Sequence, residues 1–237
     1  MVSISLNMKF WDDGKDDSTR IRNVKFSWEE LKKLSLFLSS KGVLSKPTLY
    51  DFSEKRIIDD STHIPYPLGV YKKAEKTNTI LNQRLGYDFF MMIDCDAFFH
   101  VEDYEKLLEV ILNLNKGDVI TFDLGKLHNN VSDYLVGNKF IKENSNWDFA
   151  YSGDKSNGPL NGRIGGLGGV YICDTDLLNN LGGFDTKFET WGGEDGDMMD
   201  RIMSSNIKHN IIPIRNFFPF HLPHFIDWGN KNYNKNA

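Results

Sequence analysis

Asp94-Cys95-Asp96 follows directly on the apolar run Phe89-Phe90-Met91-Met92-Ile93. If that run is a strand, Asp94 and Asp96 leave the sheet edge on the same side and Cys95 turns back. Two carboxylates so placed suit a hard divalent cation, Mg²⁺ or Mn²⁺, whose other positions are filled by diphosphate oxygens and water. A second constellation is Trp191-Gly192-Gly193-Glu194-Asp195-Gly196-Asp197, preceded by Leu181-Gly182-Gly183-Phe184-Asp185. A glycine pair lets backbone approach a ligand closely, Trp191 offers a face to a sugar ring, and a helix start keeps a carboxylate ionised and able to accept a proton. Acids at a helix start also serve simply as caps favoured by the dipole. The third is His221-Leu222-Pro223-His224, an H-x-x-H pair that either ligates a metal or packs with Phe220 and Phe225. Lys72, Lys73 and Asn78 either meet a diphosphate or lie on a solvated helix face.

These groups need a scaffold, and the periodicity supplies one. Val2-Ser3-Ile4-Ser5-Leu6 reads as a strand, followed by a polar loop from Asp12 to Arg22. Ser27-Trp28-Glu29-Glu30 has capping-box spacing, and Trp28, Leu31, Leu34 and Leu38 recur at helical intervals until Gly42. Lys46 to Phe52 reads as a strand, Leu68 to Gln83 as a helix packed by Ala74, Ile80 and Leu81, and Phe89 to Ile93 as a strand buried on both faces. Val101 to Leu114 carries Tyr104, Leu107, Leu108, Ile111 and Leu114 on one helical face, and Asp118 to Phe122 is again a strand. This β-α alternation predicts right-handed crossovers and an α/β doubly wound, mostly parallel sheet with its ligand site at the carboxyl ends of the strands. From Asp123 to Arg163 the pattern breaks into a long polar stretch with scattered aromatics. It resumes with a strand at Gly168 to Cys173, short helices at Asp174 to Leu181 and Asp195 to Ser205, and a strand at His209 to Ile214; the tail after Trp228 is rich in Asn and Lys.

The composition fits this scaffold. The 237 residues are 40% hydrophobic and 26% charged, which suits one large globular domain and excludes wholesale disorder. A net charge of -5 argues against a protein held mainly by phosphate neutralisation, so a nucleic acid is a possible but not a favoured acceptor. Cys95 and Cys173 fall in apolar stretches and read as core residues without a disulfide framework. No apolar run reaches membrane-spanning length and residues 1–10 are too polar for a signal peptide, so the expected setting is cytoplasmic, as in a bacterial or phage-like enzyme.

Taken together, these residues resemble the glycosyltransferases of the GT-A fold. Val2-Ser3-Ile4-Ser5-Leu6-Asn7 is similar to the opening nucleotide-binding strand of the family-2 type, Tyr71-Lys72-Lys73-Ala74 with Asn78 to the helix before the metal strand, and Met92-Ile93-Asp94-Cys95-Asp96 to the DxD motif. Gly182-Gly183-Phe184-Asp185 running into Trp191-Gly192-Gly193-Glu194-Asp195 resembles a segment shared by β-1,4-galactosyltransferases, bacterial chondroitin polymerases and polypeptide N-acetylgalactosaminyltransferases. The resemblance implies a single GT-A domain, with residues 1–123 as the nucleotide- and metal-binding half and residues 124–237 as the acceptor-binding and catalytic half. It further implies a sugar-nucleotide donor, commonly UDP-linked, with Mn²⁺ held by Asp96 and by His224 or His221. Asp195 falls on the catalytic base of the inverting members, and retaining relatives carry no Asp there. Gly196 departs from the galactosyltransferases, which have an acid at that place.

On this reading the metal neutralises the departing diphosphate and Asp195 deprotonates a hydroxyl on a glycan, a protein or another acceptor. Glu194 would orient acceptor or donor sugar, Asp51 would face the uracil, and the backbone at Gly168 and Gly169 would lie against the sugar. Asn7, Lys73, Asp94, Trp191, Gly192 and Gly193 complete the expected donor site. Two other readings compete: a metal-dependent phosphoesterase or nucleotidyltransferase using Asp94, Asp96 and the histidines, and a noncatalytic sugar-binding protein on the same fold.

Overall fold

The segment Ser3-Ile4-Ser5-Leu6-Asn7-Met8-Lys9-Phe10 alternates polar and apolar residues, and in the computed structural model all of it is strand β1 (Ser3–Phe10). The structure describes residues 1–11, 18–67, 72–84, 86–127, 135–136, 139–140, 147–150, 167–189 and 193–222. After β1 come α1 (Ser18–Ser40), β2 (Leu44–Asp51), β3 (Thr62–His63), α2 (Lys73–Asn82), β4 (Phe89–Asp94) and β5 (Ala97–Phe98). A 3-10 turn (Val101–Asp103) leads into α3 (Tyr104–Leu112), followed by β6 (Asp118–Phe122) and β7 (Leu124–Leu127). Short strands β8 (Leu135–Val136), β9 (Lys139–Phe140) and β10 (Trp147–Ala150) precede β11 (Val170–Asp174) and α4 (Thr175–Asn180). The described chain ends with α5 (Glu194–Ser204), β12 (Asn210–Ile214) and β13 (Phe220–His221).

Seven strands form the central sheet in the order β12-β6-β11-β4-β1-β2-β3. All neighbouring pairs are parallel except those of β11, which runs antiparallel to both β4 and β6. The expected mostly parallel α/β sheet is therefore present, with one reversed strand. In sequence the polar stretch from Asp123 to Arg163 lacks the helical periodicity that a crossover between parallel strands calls for.

Helices cover both faces. On one, Ile4, Leu6, Met8 and Phe10 of β1 and Phe89, Met91 and Ile93 of β4 pack with Trp28, Leu31, Leu34 and Leu38 of α1 and Leu107 and Ile111 of α3. On the other, Phe90 and Met92 of β4 and Tyr171 and Cys173 of β11 pack with Ala74, Ile80 and Leu81 of α2 and Met198, Met199 and Ile202 of α5. The period of two thus assigns a face to every strand residue. Both cysteines are free and buried, Cys95 in the first cluster and Cys173 in the second. No described helix is long and apolar enough to cross a membrane.

The capping signal at Ser27 is overridden. Helix α1 begins at Ser18, and Ser27 lies in its middle, fully buried, its hydroxyl without a partner. Ile21 and Val24 extend the apolar stripe of Trp28 toward the N-terminus, and their packing on the sheet outweighs the local preference.

Candidate active site

The chain steps outward from β1 to β2 and β3, then returns to place β4 on the other side of β1, so the crevice between the carboxyl ends of β1 and β4 is the switch point of this sheet. Lys9 and Asp94 are register partners across that crevice. Their parity puts both on the face covered by α2 and α5, since Lys9 alternates with the inward-packed Met8 and Phe10, and Asp94 with Ile93. Lys9 is 2% exposed and donates to Thr77 Oγ1 of α2 at 2.9 Å. Burial and neighbouring Lys73 bring its ammonium down to about 8, against the pull of Asp94, Asp195 and Glu194.

Helices α2 and α5 both begin above this crevice. Lys72, just before α2, has φ 33° and is the one non-glycine residue of positive φ among the described residues. Lys73 points its ammonium between two acids at the start of α5, 2.7 Å from Glu194 Oε1 and 2.5 Å from Asp195 Oδ2. Gly193 caps that helix at φ 90°, a conformation that costs an L residue with a side chain and delivers both carboxylates in the first turn. The two acids are treated differently. Burial raises the Asp195 carboxyl, and neither Lys73 nor Lys9 brings it back to the ordinary value. Burial also pushes on Glu194, but Lys73, by charge and hydrogen bond, prevails and holds it below the usual carboxylate range. The shifts run in opposite directions, Asp195 toward easier protonation than an ordinary aspartate and Glu194 toward a more persistent anion than an ordinary glutamate, a difference in setting that suits different roles.

A second grouping forms where β4 turns into β5. Ala97 pairs with His221 across the antiparallel β5–β13 ladder, and Leu222 N donates to Asp96 O at 2.7 Å. This brings His221 Nε2 to 3.3 Å from Asp96 Oδ1. Phe26, Phe98, Phe220 and Leu222 form a small core beneath the ladder. The separation approximates that of adjacent ligands about 2.1 Å from one ion, roughly 3 Å, and a carboxylate with an imidazole suits Mn²⁺ better than Mg²⁺. Among the described residues no three acid, histidine or cysteine side chains converge on one point. Asp94 and Asp96 thus keep different company, one with Lys9, the other with His221.

Several expected donor-site residues are committed to the fold. Asn7 is fully buried; its amide donates to Ser5 O, Ser5 Oγ and Met91 O, and its oxygen accepts from Arg84. Asp51, also fully buried, accepts from the backbone N–H groups of Ser53, Ile57 and Ile58 at 3.0, 2.7 and 3.1 Å, and so shapes the turn after β2. Asn78 brackets Phe184 by bonding both its N–H and its carbonyl, whereas Lys72 pairs with Glu75 on the surface. Gly168 faces open space; Gly169, at φ 76°, accepts from Asp94 N at 2.8 Å and sits against Leu124, where a Cβ would approach to 2.7 Å. Trp191, Gly192 and His224 lie outside the described residues. Sequence reasoning missed Lys9 and Tyr171. The alternation of β1 continues to Phe10 and would have placed Lys9 with Asn7 on the ligand-facing side; Tyr171 lacked any local mark.

The strand order, the crevice at its switch point and the small flanking sheet β10-β7-β13-β5 define the architecture of the GT-A glycosyltransferases. Residues 149–225, which contain β11, α5 and β13, match the family model described as the N-terminal domain of galactosyltransferase. The catalytic domain of Drosophila β1,4-galactosyltransferase 7, solved with xylobiose, is similar over 100% of this chain and 76% of its own at 11% identity and a TM-score of 0.53. The structure of GalNAc-T7 with UDP, GalNAc and Mn²⁺ is similar over 97% of this chain at 13% identity and a TM-score of 0.58. This chain spans 45% of that structure's length. At such identities the likeness establishes the fold, and together with the family match it supports a glycosyltransferase, in agreement with the motifs.

Proposed function

We propose that this chain is an inverting, metal-dependent glycosyltransferase that moves a sugar from a UDP-linked donor to a hydroxyl acceptor, with Asp195 as general base. The observation that carries the reading is the Lys73–Glu194–Asp195 cluster above the switch point of a GT-A sheet. A base must hold a proton for the duration of the transfer; burial raises the Asp195 carboxyl above an ordinary aspartate, whereas Lys73 holds Glu194 below an ordinary glutamate, so that Glu194 serves as the anion that orients acceptor or donor sugar. Lys73 directs the Asp195 carboxylate and lies where an entering diphosphate would draw it. Asp96 and His221, joined by His224, would hold Mn²⁺, which when bound offsets charge on the departing diphosphate. That GalNAc-T7 is solved with UDP and Mn²⁺ supports the same ligands here. Asp51 contributes to the nucleotide pocket by shaping the turn after β2, and Lys9 and Asp94 line the crevice floor. In this scheme residues 1–123 supply the donor side and residues 124–237 the acceptor side, with the acceptor a glycan, a reading supported by the xylobiose bound in the Drosophila structure, or another hydroxyl compound.

The test is UDP release from a panel of UDP-sugars with Mn²⁺, with and without hydroxyl acceptors. Release that requires an acceptor excludes the phosphoesterase reading, and the absence of any turnover favours the noncatalytic one. Asp195→Asn should keep UDP binding while transfer falls by about 10²- to 10⁴-fold, the usual contribution of a general base. Undiminished transfer by that variant would remove Asp195 from its role.

A further inference from the structure

Tyr171 stands on β11 opposite Met92 of β4, with its ring 6.4 Å from those of Phe90 and Phe184. It is 2% exposed, and its hydroxyl has no hydrogen-bond partner. Parity places it with Cys173 on the α2/α5 face, and because β11 is antiparallel its first residues lie at the carboxyl end of β4, beside Asp94. A phenylalanine would fill this apolar slot without an unpaired hydroxyl, so the oxygen asks for a partner that the observed arrangement withholds. The phenol is pushed well up, by burial first and then by the Asp195 charge, with Cys173 and Asp94 adding and Lys73 opposing. It therefore remains a proton donor at any pH at which the protein works, and the strongest charge acting on it is the carboxylate now held by Lys73.

We propose that Tyr171 is a positioning residue for Asp195: when a bound anion draws the Lys73 ammonium away, the Tyr171 hydroxyl donates to the Asp195 carboxylate and keeps it ionised and aimed. The assignment rests on the glycosyltransferase reading only for the identity of that anion as a diphosphate. Lys73 from α2 contacts Asp195, and Glu194 from its own helix, Lys9 from β1 and Tyr171 from β11 lie within reach of its charge, while Asp94 from β4 acts on Lys9 and Tyr171. Of these the two lysines and the phenol can donate a hydrogen bond; Lys73 spends donors on both acids and Lys9 one on Thr77, whereas the single donor of the phenol is unspent.

The first test does not depend on turnover. In protein labelled at tyrosine Cζ, the Tyr171 carbon resonance is assigned by its loss in Tyr171→Phe. Lys73→Met, or Lys73→Gln should the methionine variant not fold, should shift that resonance, and adding Asp195→Asn should abolish the shift. A resonance unmoved by loss of Lys73 overturns the proposal. The second test uses transfer. Donation to a carboxylate favours its ionised form, so Tyr171→Phe should raise the pKa of the base and move the acidic limb of kcat upward by about half a pH unit, with KM for the donor little changed. A variant whose pH profile coincides with that of the parent overturns the positioning role. If the parent shows no transfer at all, the glycosyltransferase reading fails while the resonance test still decides on Tyr171.

Discussion

Two acid groupings stand at the carboxyl ends of the strands, and they are held by opposite means. Glu194 and Asp195 sit on the first turn of a helix, bound by a lysine from another helix at 2.7 and 2.5 Å, with side chains 2% and 20% exposed. Asp96 sits in a turn and meets His221 at 3.3 Å through backbone pairing of two short strands. In the first grouping the charge is balanced from within the chain and the carboxylates are fixed before any ligand arrives. The second brings a carboxylate and an imidazole together at the end of the sheet, a pair that suits a cation supplied from outside. Removing a member should therefore damage the fold in the first case and ligand binding in the second.

The largest effect is expected for Lys73→Met, which leaves the buried Glu194 and the half-buried Asp195 carboxylates without their cation and should cost about 3 kcal/mol at pH 7 by urea denaturation. In the parent the two acids act in opposite directions. The depressed Glu194 adds stability that is lost as pH falls through its folded value, whereas the raised Asp195 removes stability as pH rises toward its own. Without Lys73 both are raised, so the variant should lose stability on going from pH 5 to pH 7; a flat profile would mean that the acids relax into solvent. Next is Asp96→Ala. With saturating UDP and Mn²⁺ the parent should melt about 5 °C higher than without them, and the variant should lose most of that rise at an unchanged ligand-free midpoint. A lowered ligand-free midpoint would blur the contrast between the groupings.

Lys76 tests whether acids or burial set the cost of a cation on this face. It is 1% exposed, with Trp11, Phe52 and Tyr66 at 5.3, 5.9 and 4.7 Å, and burial, followed by Lys9, lowers it to about 7. Since the unfolded chain binds this proton more tightly, stability should climb between pH 7 and pH 9.5, and Lys76→Met should flatten the climb by about 1 kcal/mol or more. The smallest effect is expected far from both groupings. Ser27→Ala removes an unpaired buried hydroxyl from the middle of α1 and should add about 0.5 to 1 kcal/mol, read from the shift in denaturation midpoint.

Much of the scaffold was legible because its strands and helices carry strong periods. Phe89 to Ile93 announced a buried strand, and Tyr104, Leu107 and Ile111 a helix face, and both are where the spacing put them. The boundaries were less so. The first helix begins at Ser18 because Ile21 and Val24 continue its buried stripe, a benefit visible only once the sheet is there to pack against. The reversed sense of β11 was likewise hidden, since strand direction depends on what a long connection does and not on the strand's own residues. Of the chemistry, the acids were legible as types at telling positions. The commitments of Asn7 and Asp51 were not, because a buried amide and a ligand-facing one look alike in a sequence.

What the sequence determined by itself is the set of local elements and the chemical groups at their ends: an apolar strand ending in acids, a helix entered through Gly192-Gly193-Glu194-Asp195, and a histidine pair beyond the strand at His209 to Ile214. Only the tertiary structure decided who meets whom. It joined Lys73 to Asp195 across 122 residues, paired Asp96 with His221 through two short strands, and set the unpaired Tyr171 hydroxyl on the same face as Asp195. Local periodicity assigns each side chain a face, but strand order and crossovers choose which faces come together, and that choice is made by the burial of the whole core at once.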